Sequence, residues 1–353
     1  MKTLSVILIT ALFSVNLYAQ KLTATELPIE LYNPNDMIVT DSGTIIIYDL
    51  AADEFPLISY SIKQKEIIGS VLWGKGPGEI GGTLYKTITK GPRGTVSVFD
   101  RNNARINIYS HDLTLQETLN LAFLKGNPMQ AGFLNENIFF AIPIKEDFVR
   151  LHKVTQEDGE IIIESSPYLV IKNNDSEYLK PLDNFLLKQG IFLKQSNENL
   201  FLAFEYSSLI LSLDSNGIKY EVFGPEKFLL PDEKSKSGMV YALPDVSEHP
   251  VCNLDIDVLD DFVFVLKKGE KAGKTNILKK VFSIGKMIEE LEHSDKILVF
   301  KASTGEFIEE LKLPVKVSKI EIANEKMYML SAYQQDAKLY ELSISDLMEY
   351  QQN

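Results

Sequence analysis

The chain has 353 residues, a formal net charge of −13 at pH 7 and one cysteine. This acidic balance excludes nucleic acid as the main partner, because binding to phosphates needs a basic surface. The lone Cys252 excludes an intramolecular disulfide, so packing has to hold the fold together.

The first predicted element is a targeting segment. Lys2 precedes an apolar run over residues 4–17, and Ala19 supplies a small residue where a signal peptidase could cut. The run is too short to favour a transmembrane anchor. We therefore expect a signal peptide over residues 1–19, and an exported, monomeric mature chain over residues 20–353 that is periplasmic or extracellular.

A short segment then returns six times along the chain. Each copy opens with polar or small residues and continues into apolar, β-branched or aromatic positions, which is typical of a strand packed on both faces. The six copies are residues 43–49, 94–100, 136–142, 198–204, 260–266 and 325–331.

Three further strands are predicted around each copy. A candidate inner strand precedes it across a tight turn rich in Gly, Asn and Asp, which favour hairpins. A third strand follows every copy, and an outer strand follows in five of the six units. The predicted inner strands are residues 36–40, 86–90, 129–134, 191–195, 254–259 and 319–323.

Four antiparallel strands repeated six times predict an all-β fold, a six-bladed β-propeller. The sixth unit lacks an outer strand, and residues 25–31 are available to supply it and close the ring. The expected blades span residues 33–72, 85–121, 127–164, 188–223, 251–313 and 315–345. Residues 282–293 and 345–351 are the best helical candidates.

Long, varied connections are predicted on one face of the propeller, which we call the long-loop face. It carries the connections from second to third strands and from each outer strand to the next inner strand. Loops held by a rigid scaffold often carry binding residues. The candidate ligand-binding residues are Trp73, Lys75, Glu79, Arg101, Tyr206, Tyr241, His249 and Tyr333.

The glycine-rich loop over residues 72–82 is the most distinctive of these connections. It lacks a GK[ST] ending and leads into a strand, which argues against a nucleotide loop. The favoured interpretation is a compact turn in which Glu79 accepts backbone hydrogen bonds and Trp73 packs between blades. The alternative is that Trp73 contacts a ligand.

The six units, the exported N-terminus and the G-x-G-P-G-E run at residues 74–79 resemble the six-bladed propeller proteins of Bacteroidota, a TolB-like or NHL-like superfamily. The resemblance covers residues 27–344. It implies the fold and an exported location, and it implies no particular reaction.

Two hypotheses about function follow. The first is a non-catalytic binding or scaffold module that recognises a protein, peptide or glycan through the long-loop face, with no cofactor. The alternative is a calcium-dependent hydrolase or lyase, similar to the lactonase-like propellers, in which oxygen ligands from several blades hold Ca²⁺. Carboxylates at strand ends also commonly form turns, which is the alternative to a role in metal binding. The candidate metal ligands are Asp49, Asp100, Asn102, Glu205 and Asp336.

Overall fold

The structure is a computed structural model. It describes residues 22–81, 88–122, 128–136, 138–143, 151–157, 160–166, 191–196, 198–227, 235–236, 239–240, 250–270, 292–331 and 336–351. The predicted signal peptide and most of the predicted helix over residues 282–293 lie outside these ranges.

The described residues form six four-stranded antiparallel sheets and one small hairpin. The predicted propeller fold with four antiparallel strands per unit is confirmed. In every sheet the strands lie side by side in the order inner, second, third and outer.

The first three sheets each take their four strands from one continuous stretch of sequence. Sheet 1 contains Pro34–Val39, Thr44–Asp49, Leu57–Ser61 and Glu66–Val71. Sheet 2 contains Ile88–Lys90, Val96–Asp100, Arg105–Tyr109 and Leu115–Asn120. Sheet 3 contains Pro128–Phe133, Ile138–Pro143, Leu151–Glu157 and Glu160–Ser166.

Sheet 6 alone combines strands from the two ends of the described chain. Sheet 4 contains Ile191–Ser196, Asn199–Phe204, Ser207–Asp214 and Gly217–Phe223. Sheet 5 contains Val251–Leu259, Phe262–Glu270, Ser294–Lys301 and Phe307–Val317. Sheet 6 contains Lys319–Ala323, Lys326–Ser331, Lys338–Ser343 and Thr25–Glu26. The small hairpin pairs Ser235–Lys236 with Met239–Val240.

The second strands pack against the neighbouring sheets on both faces, as their apolar runs predict. In Thr44–Asp49 every residue is buried. Ile45 and Ile47 pack in a cluster with residues of sheet 6, whereas Ile46 and Tyr48 pack in a cluster with residues of sheet 2. Alternate side chains thus fill two inter-sheet interfaces, which explains why the strand is apolar at successive positions.

The inner strands contact one another from sheet to sheet. Each contacts the inner strand of the next sheet, and the inner strand of sheet 6 contacts that of sheet 1. The inner strands of sheets 2 and 4 are also in contact.

The turns from inner to second strand use the residue types that the sequence predicts. Gly43, Asp260 and Asn324 have φ values of 77°, 51° and 52°. These left-handed conformations suit Gly, Asn and Asp better than other residues. The turns are short, so the face opposite the long-loop face carries tight hairpins.

The N-terminal segment pairs with the third strand of sheet 6. Thr25 and Glu26 lie opposite Glu341 and Tyr340. The amide of Leu27 donates to the carbonyl of Leu339 at 2.8 Å. The edge of sheet 6 is thereby covered by the other end of the chain, which is the pairing predicted for residues 25–31.

The side chain of Leu27 fastens this segment, because it is 9% exposed and packs in the cluster between sheets 6 and 1. We expect Leu27→Ala to lower the free energy of unfolding by about 2 kcal/mol through lost burial and a residual cavity. Urea denaturation measures this loss. Tyr32→Ala, at a side chain 54% exposed, is the control and should change stability by less than about 0.5 kcal/mol. Equal losses in the two variants would contradict a fastening role for this strand.

A C-terminal helix, Ile344–Gln351, follows the third strand of sheet 6, close to the predicted residues 345–351. Its Leu347 is fully buried against residues of sheets 5 and 6. No helix within the described ranges is both long enough and apolar enough to cross a membrane.

Candidate functional site

A small cavity of about 30 Å³ lies between the inner strands. A water molecule needs at least about 10–15 Å³ of such space, so there is room for about two. Residues from five sheets line the cavity: Asp36, Met37, Ile38, Ile88, Thr89, Lys90, Phe192, Leu193, Lys194, Gln195, Asp255, Ile256, Lys319 and Glu321.

Charged side chains dominate this centre. We define the inner-strand charge cluster as four carboxylates and two ammonium groups on sheets 1, 4, 5 and 6. Side-chain exposure ranges from 0% at Asp257 to 13% at Asp255. Buried charges are costly unless they are paired and hydrogen-bonded. The members are Asp36, Lys194, Asp255, Asp257, Lys319 and Glu321.

Each lysine of the cluster joins two carboxylates from different sheets. Lys194 Nζ lies 3.2 Å from Asp257 Oδ1 and donates a hydrogen bond to Glu321 Oε2. Lys319 Nζ lies 3.5 Å from Asp36 Oδ1 and 3.8 Å from Asp255 Oδ1. The two ammonium groups thus link sheets 4, 5, 6 and 1.

The carboxylates also accept backbone hydrogen bonds from the neighbouring sheet. Asp36 Oδ2 accepts from the amide of Ile88 at 3.0 Å, and Glu321 Oε2 accepts from the amide of Val39 at 3.3 Å. Asp255 and Asp257 accept from the amides of Ile320 and Ile322. These amides lie on the free edges of inner strands, so the carboxylates satisfy donors that the sheets leave open.

The protonation of the cluster reflects burial and pairing. Burial acts to lower the pKa of Lys194, but the carboxylates of Asp257 and Glu321 outweigh it and raise that pKa above its ordinary value. Burial raises the pKa of Glu321 to about 8, against the opposing effect of Lys194. The cluster is therefore an ammonium-centred network in which burial favours a proton on Glu321.

None of these six residues was among the predicted site residues. Their signal was nonetheless present, because charged residues interrupt inner strands that are otherwise apolar. Lys194 and Glu321 are 127 positions apart, and only the arrangement of the inner strands brings them together.

The glycine-rich loop is a compact turn, as the favoured interpretation predicted. Glu79 Oε2 accepts from the amide of Gly76 at 2.6 Å. Trp73 packs edge-on against Tyr48, with ring centroids 6.1 Å apart, and its Nε1 donates to the carbonyl of Ala52 at 3.0 Å. A Cβ on Gly74 would lie 2.0 Å from Glu79 Oε2, so a larger residue there would displace the Glu79 carboxylate from its position in the turn.

Arg105, on the third strand of sheet 2, holds this loop in place through hydrogen bonds. Its guanidinium donates to the carbonyls of Lys75, Gly76 and Glu79 at 3.3, 3.0 and 2.7 Å. Its Nε donates to Asp100 Oδ2 at 3.1 Å. Lys75 is exposed on the loop held in this way.

The other predicted binding residues divide into two groups. Arg101 and Tyr206 are partly buried, and Tyr206 packs against the hydrophobic cluster of sheets 5 and 6. Tyr241, His249 and Tyr333 lie outside the described residues. Ligand contact by any of these five side chains stays a prediction.

The predicted metal ligands Asp49 and Asp100 are engaged in turns. Asp49 accepts from the amides of Tyr32, Asn33 and Ala51 at 2.7–3.1 Å. Asp100 accepts from Arg105 and from the amides of Gly81 and Asn103. This is the turn-forming role that competes with metal binding for carboxylates at strand ends.

The remaining metal candidates also lie at strand ends or in connections. Asn102 Nδ2 donates to the carbonyl of Gly81 at 2.8 Å, the carbonyl of Glu205 accepts from the amide of Cys252, and Asp336 is exposed. Within the described ranges, no group of three or more His, Cys, Asp or Glu residues is placed to hold a metal ion. Calcium binding therefore stays an untested hypothesis.

Comparison with known proteins supports the fold alone. No protein-family model matches the chain, and no curated protein matches it. A member of the DUF4221 family from Bacteroides vulgatus is similar, with a TM-score of 0.53 and 11% identity over 91% of this chain and 96% of that one. At this identity, the similarity shows a β-propeller and nothing about activity.

Two further solved structures are similar at lower scores. Virginiamycin B lyase from Staphylococcus aureus has a TM-score of 0.48 and 13% identity, over 91% of this chain and 99% of that one. The Cps50 (Swd1) β-propeller domain of Myceliophteria thermophila has a TM-score of 0.46 and 9% identity, over 90% of this chain and 99% of that one. Neither similarity bears on the function of this chain.

Proposed function

We propose that this chain is an exported, non-catalytic binding or scaffold propeller that recognises a protein, peptide or glycan through its long-loop face. We also infer that the six sheets are the blades of one closed ring. The contacts that run from each inner strand to the next, and from the last to the first, support this closure.

The observation that carries the proposal is the filled centre. Binding sites for small molecules usually enclose about 300–1,000 Å³. The cavity between the inner strands has about 30 Å³, and ion pairs cross it. This cavity is too small for such a ligand, which supports recognition at an outer face of the ring.

The long-loop face is the better of the two faces for this role. Its glycine-rich loop is fixed by Arg105 and presents the exposed Lys75. Tyr32 is 54% exposed in another connection, where Asp49 holds its backbone amide. An aromatic and a cationic side chain on rigid supports are suited to recognition, since little conformational entropy is lost on binding.

A binding comparison between the two faces tests the proposal. The full chain is immobilised and probed with a panel of purified glycans, peptides and envelope proteins. For the panel member that binds, we expect Tyr32→Ala with Lys75→Ala to weaken the affinity at least about tenfold, as for a binding hot spot.

The matched control changes the opposite face. Phe307 and Lys63 are also exposed, and they lie beside the turns between third and outer strands. Phe307→Ala with Lys63→Ala should leave the affinity unchanged. An affinity that falls only in the Phe307 and Lys63 variant would contradict recognition through the long-loop face.

A further inference from the structure

The inner-strand charge cluster has an unbalanced charge. With every group ionised, its four carboxylates and two ammonium groups leave a net charge of −2. The cluster spans sheets 4, 5, 6 and 1, and Glu321 joins it to the contact between the first and last sheets through the amide of Val39. We propose that it is a proton-linked lock on that contact, closed when Glu321 is protonated and weakened when Glu321 is ionised.

Glu321 is placed to act as the titrating group of this lock. It lies on the inner strand of sheet 6, and its Oε2 accepts from the amide of Val39 in sheet 1 and from Lys194 in sheet 4. A proton on the other carboxyl oxygen leaves both of these hydrogen bonds in place. Ionisation adds a negative charge where the side chain is only 6% exposed, which is costly in a site of low dielectric constant.

The neighbouring inner strands place further charged groups in the cluster with Glu321 or on the lining of the cavity. Sheet 5 contributes two carboxylates, sheet 1 contributes one, and sheets 4 and 6 contribute one ammonium group each. A further lysine from sheet 2 lines the cavity and is paired with Asp41. These groups are Asp255, Asp257, Asp36, Lys194, Lys319 and Lys90.

The direction of the pH dependence follows from linkage. Burial raises the pKa of Glu321 from 4.5 to about 8, so the folded chain keeps a proton that the unfolded chain releases. The stabilisation is complete below pH 4.5 and is lost as the pH rises through about 8. Within this window, the unfolding equilibrium constant rises by at most about tenfold per pH unit because of this one group.

Urea unfolding of the full chain at pH 5 to 9 tests the proposal against a Glu321→Gln variant. Glutamine keeps the shape and the carbonyl acceptor but cannot ionise. We expect the wild-type unfolding constant to rise with pH relative to that of Glu321→Gln, at up to about tenfold per unit. Groups outside the cluster affect both proteins equally, so parallel pH profiles would overturn the proposal.

A second measurement on the wild type covers the case in which Glu321→Gln does not fold. Carbon-13 NMR of the chain labelled at the Glu carboxyl carbons follows each group through the titration. We expect one buried carboxyl resonance with a midpoint near pH 8, shifted when Lys194 is replaced by Met or Arg. If every glutamate titrates near its ordinary pKa of 4.5, the proposal is wrong.

Discussion

Lys194→Met should lower the free energy of unfolding by about 3–5 kcal/mol, the range measured when one partner of a buried ion pair is removed. Methionine preserves most of the side-chain length but no charge. Lys194 has 8% side-chain exposure and pairs with Asp257 and Glu321, so its loss leaves two buried carboxyl groups without their cation. Urea denaturation at pH 8 measures the effect.

The matched control for this variant is Lys326→Met. Lys326 Nζ lies 3.0 Å from Glu341 Oε2, but the lysine side chain is 45% exposed. Exposed pairs of this kind contribute about 0–1 kcal/mol, so the control should lose little stability. The deficit of Lys194→Met should shrink towards pH 5, because Glu321, one of the two groups left without a cation, keeps a neutralising proton there. Similar losses in both lysine variants, at every pH, would contradict the role assigned to Lys194.

The sequence predicted the scaffold well because the signals for it are local. The segment Thr44–Asp49 is apolar at successive positions since both of its faces are buried, and a turn with Gly43 at positive φ precedes it. Strand identity, hairpin turns and the pairing of the N-terminal segment with the last sheet can all be obtained from such patterns. None of these inferences needed contacts between distant side chains.

The charge cluster could not be predicted in the same way. Asp36, Lys194 and Glu321 lie in separate repeats, and their pairing depends on how the inner strands face one another. A charged residue in a short apolar strand is compatible with an exposed edge, a bulge or a buried pair. Only the three-dimensional arrangement shows that these charges converge, although their position on the inner strands was visible.

The glycine-rich loop was predicted in part. Its glycines and Glu79 indicate a compact turn, and that turn is present. The hydrogen bonds from Arg105 to the loop were not predicted. The arginine lies 26 positions after Glu79, on a strand that the repeat pattern identifies only as the third strand of its unit. The sequence was compatible with two roles for Asp49 and Asp100, metal binding and turn formation. Both carboxylates accept backbone hydrogen bonds in the structure, which favours turn formation.

Arg105→Met is expected to cost about 3 kcal/mol of unfolding free energy, at the lower end for a broken buried ion pair. The change removes the cation from Asp100, whose side chain is fully buried. It also removes the donors to the carbonyls of Gly76 and Glu79. Asp100 keeps its bonds from the amides of Gly81 and Asn103, which limits the loss.

Arg105→Lys separates the two contributions of this side chain. Lysine restores the positive charge beside Asp100 but cannot reproduce the planar fork that reaches several acceptors. We therefore expect Arg105→Lys to be intermediate in stability between wild type and Arg105→Met. Limited proteolysis should cut the loop over residues 72–81 faster in both variants than in the wild type, since the loop loses carbonyl contacts in each.

Arg101→Met is the control for Arg105→Met, because Arg101 is a partly buried arginine directly after the second strand of the same sheet. It should change the unfolding free energy by less than about 0.5 kcal/mol and leave the cleavage rate of the loop unaltered. If Arg105→Met unfolds at the wild-type urea concentration, or if the loop is cleaved at the wild-type rate, Arg105 does not fix the loop. The inference that Lys75 lies on a rigid loop of the long-loop face would then also be wrong.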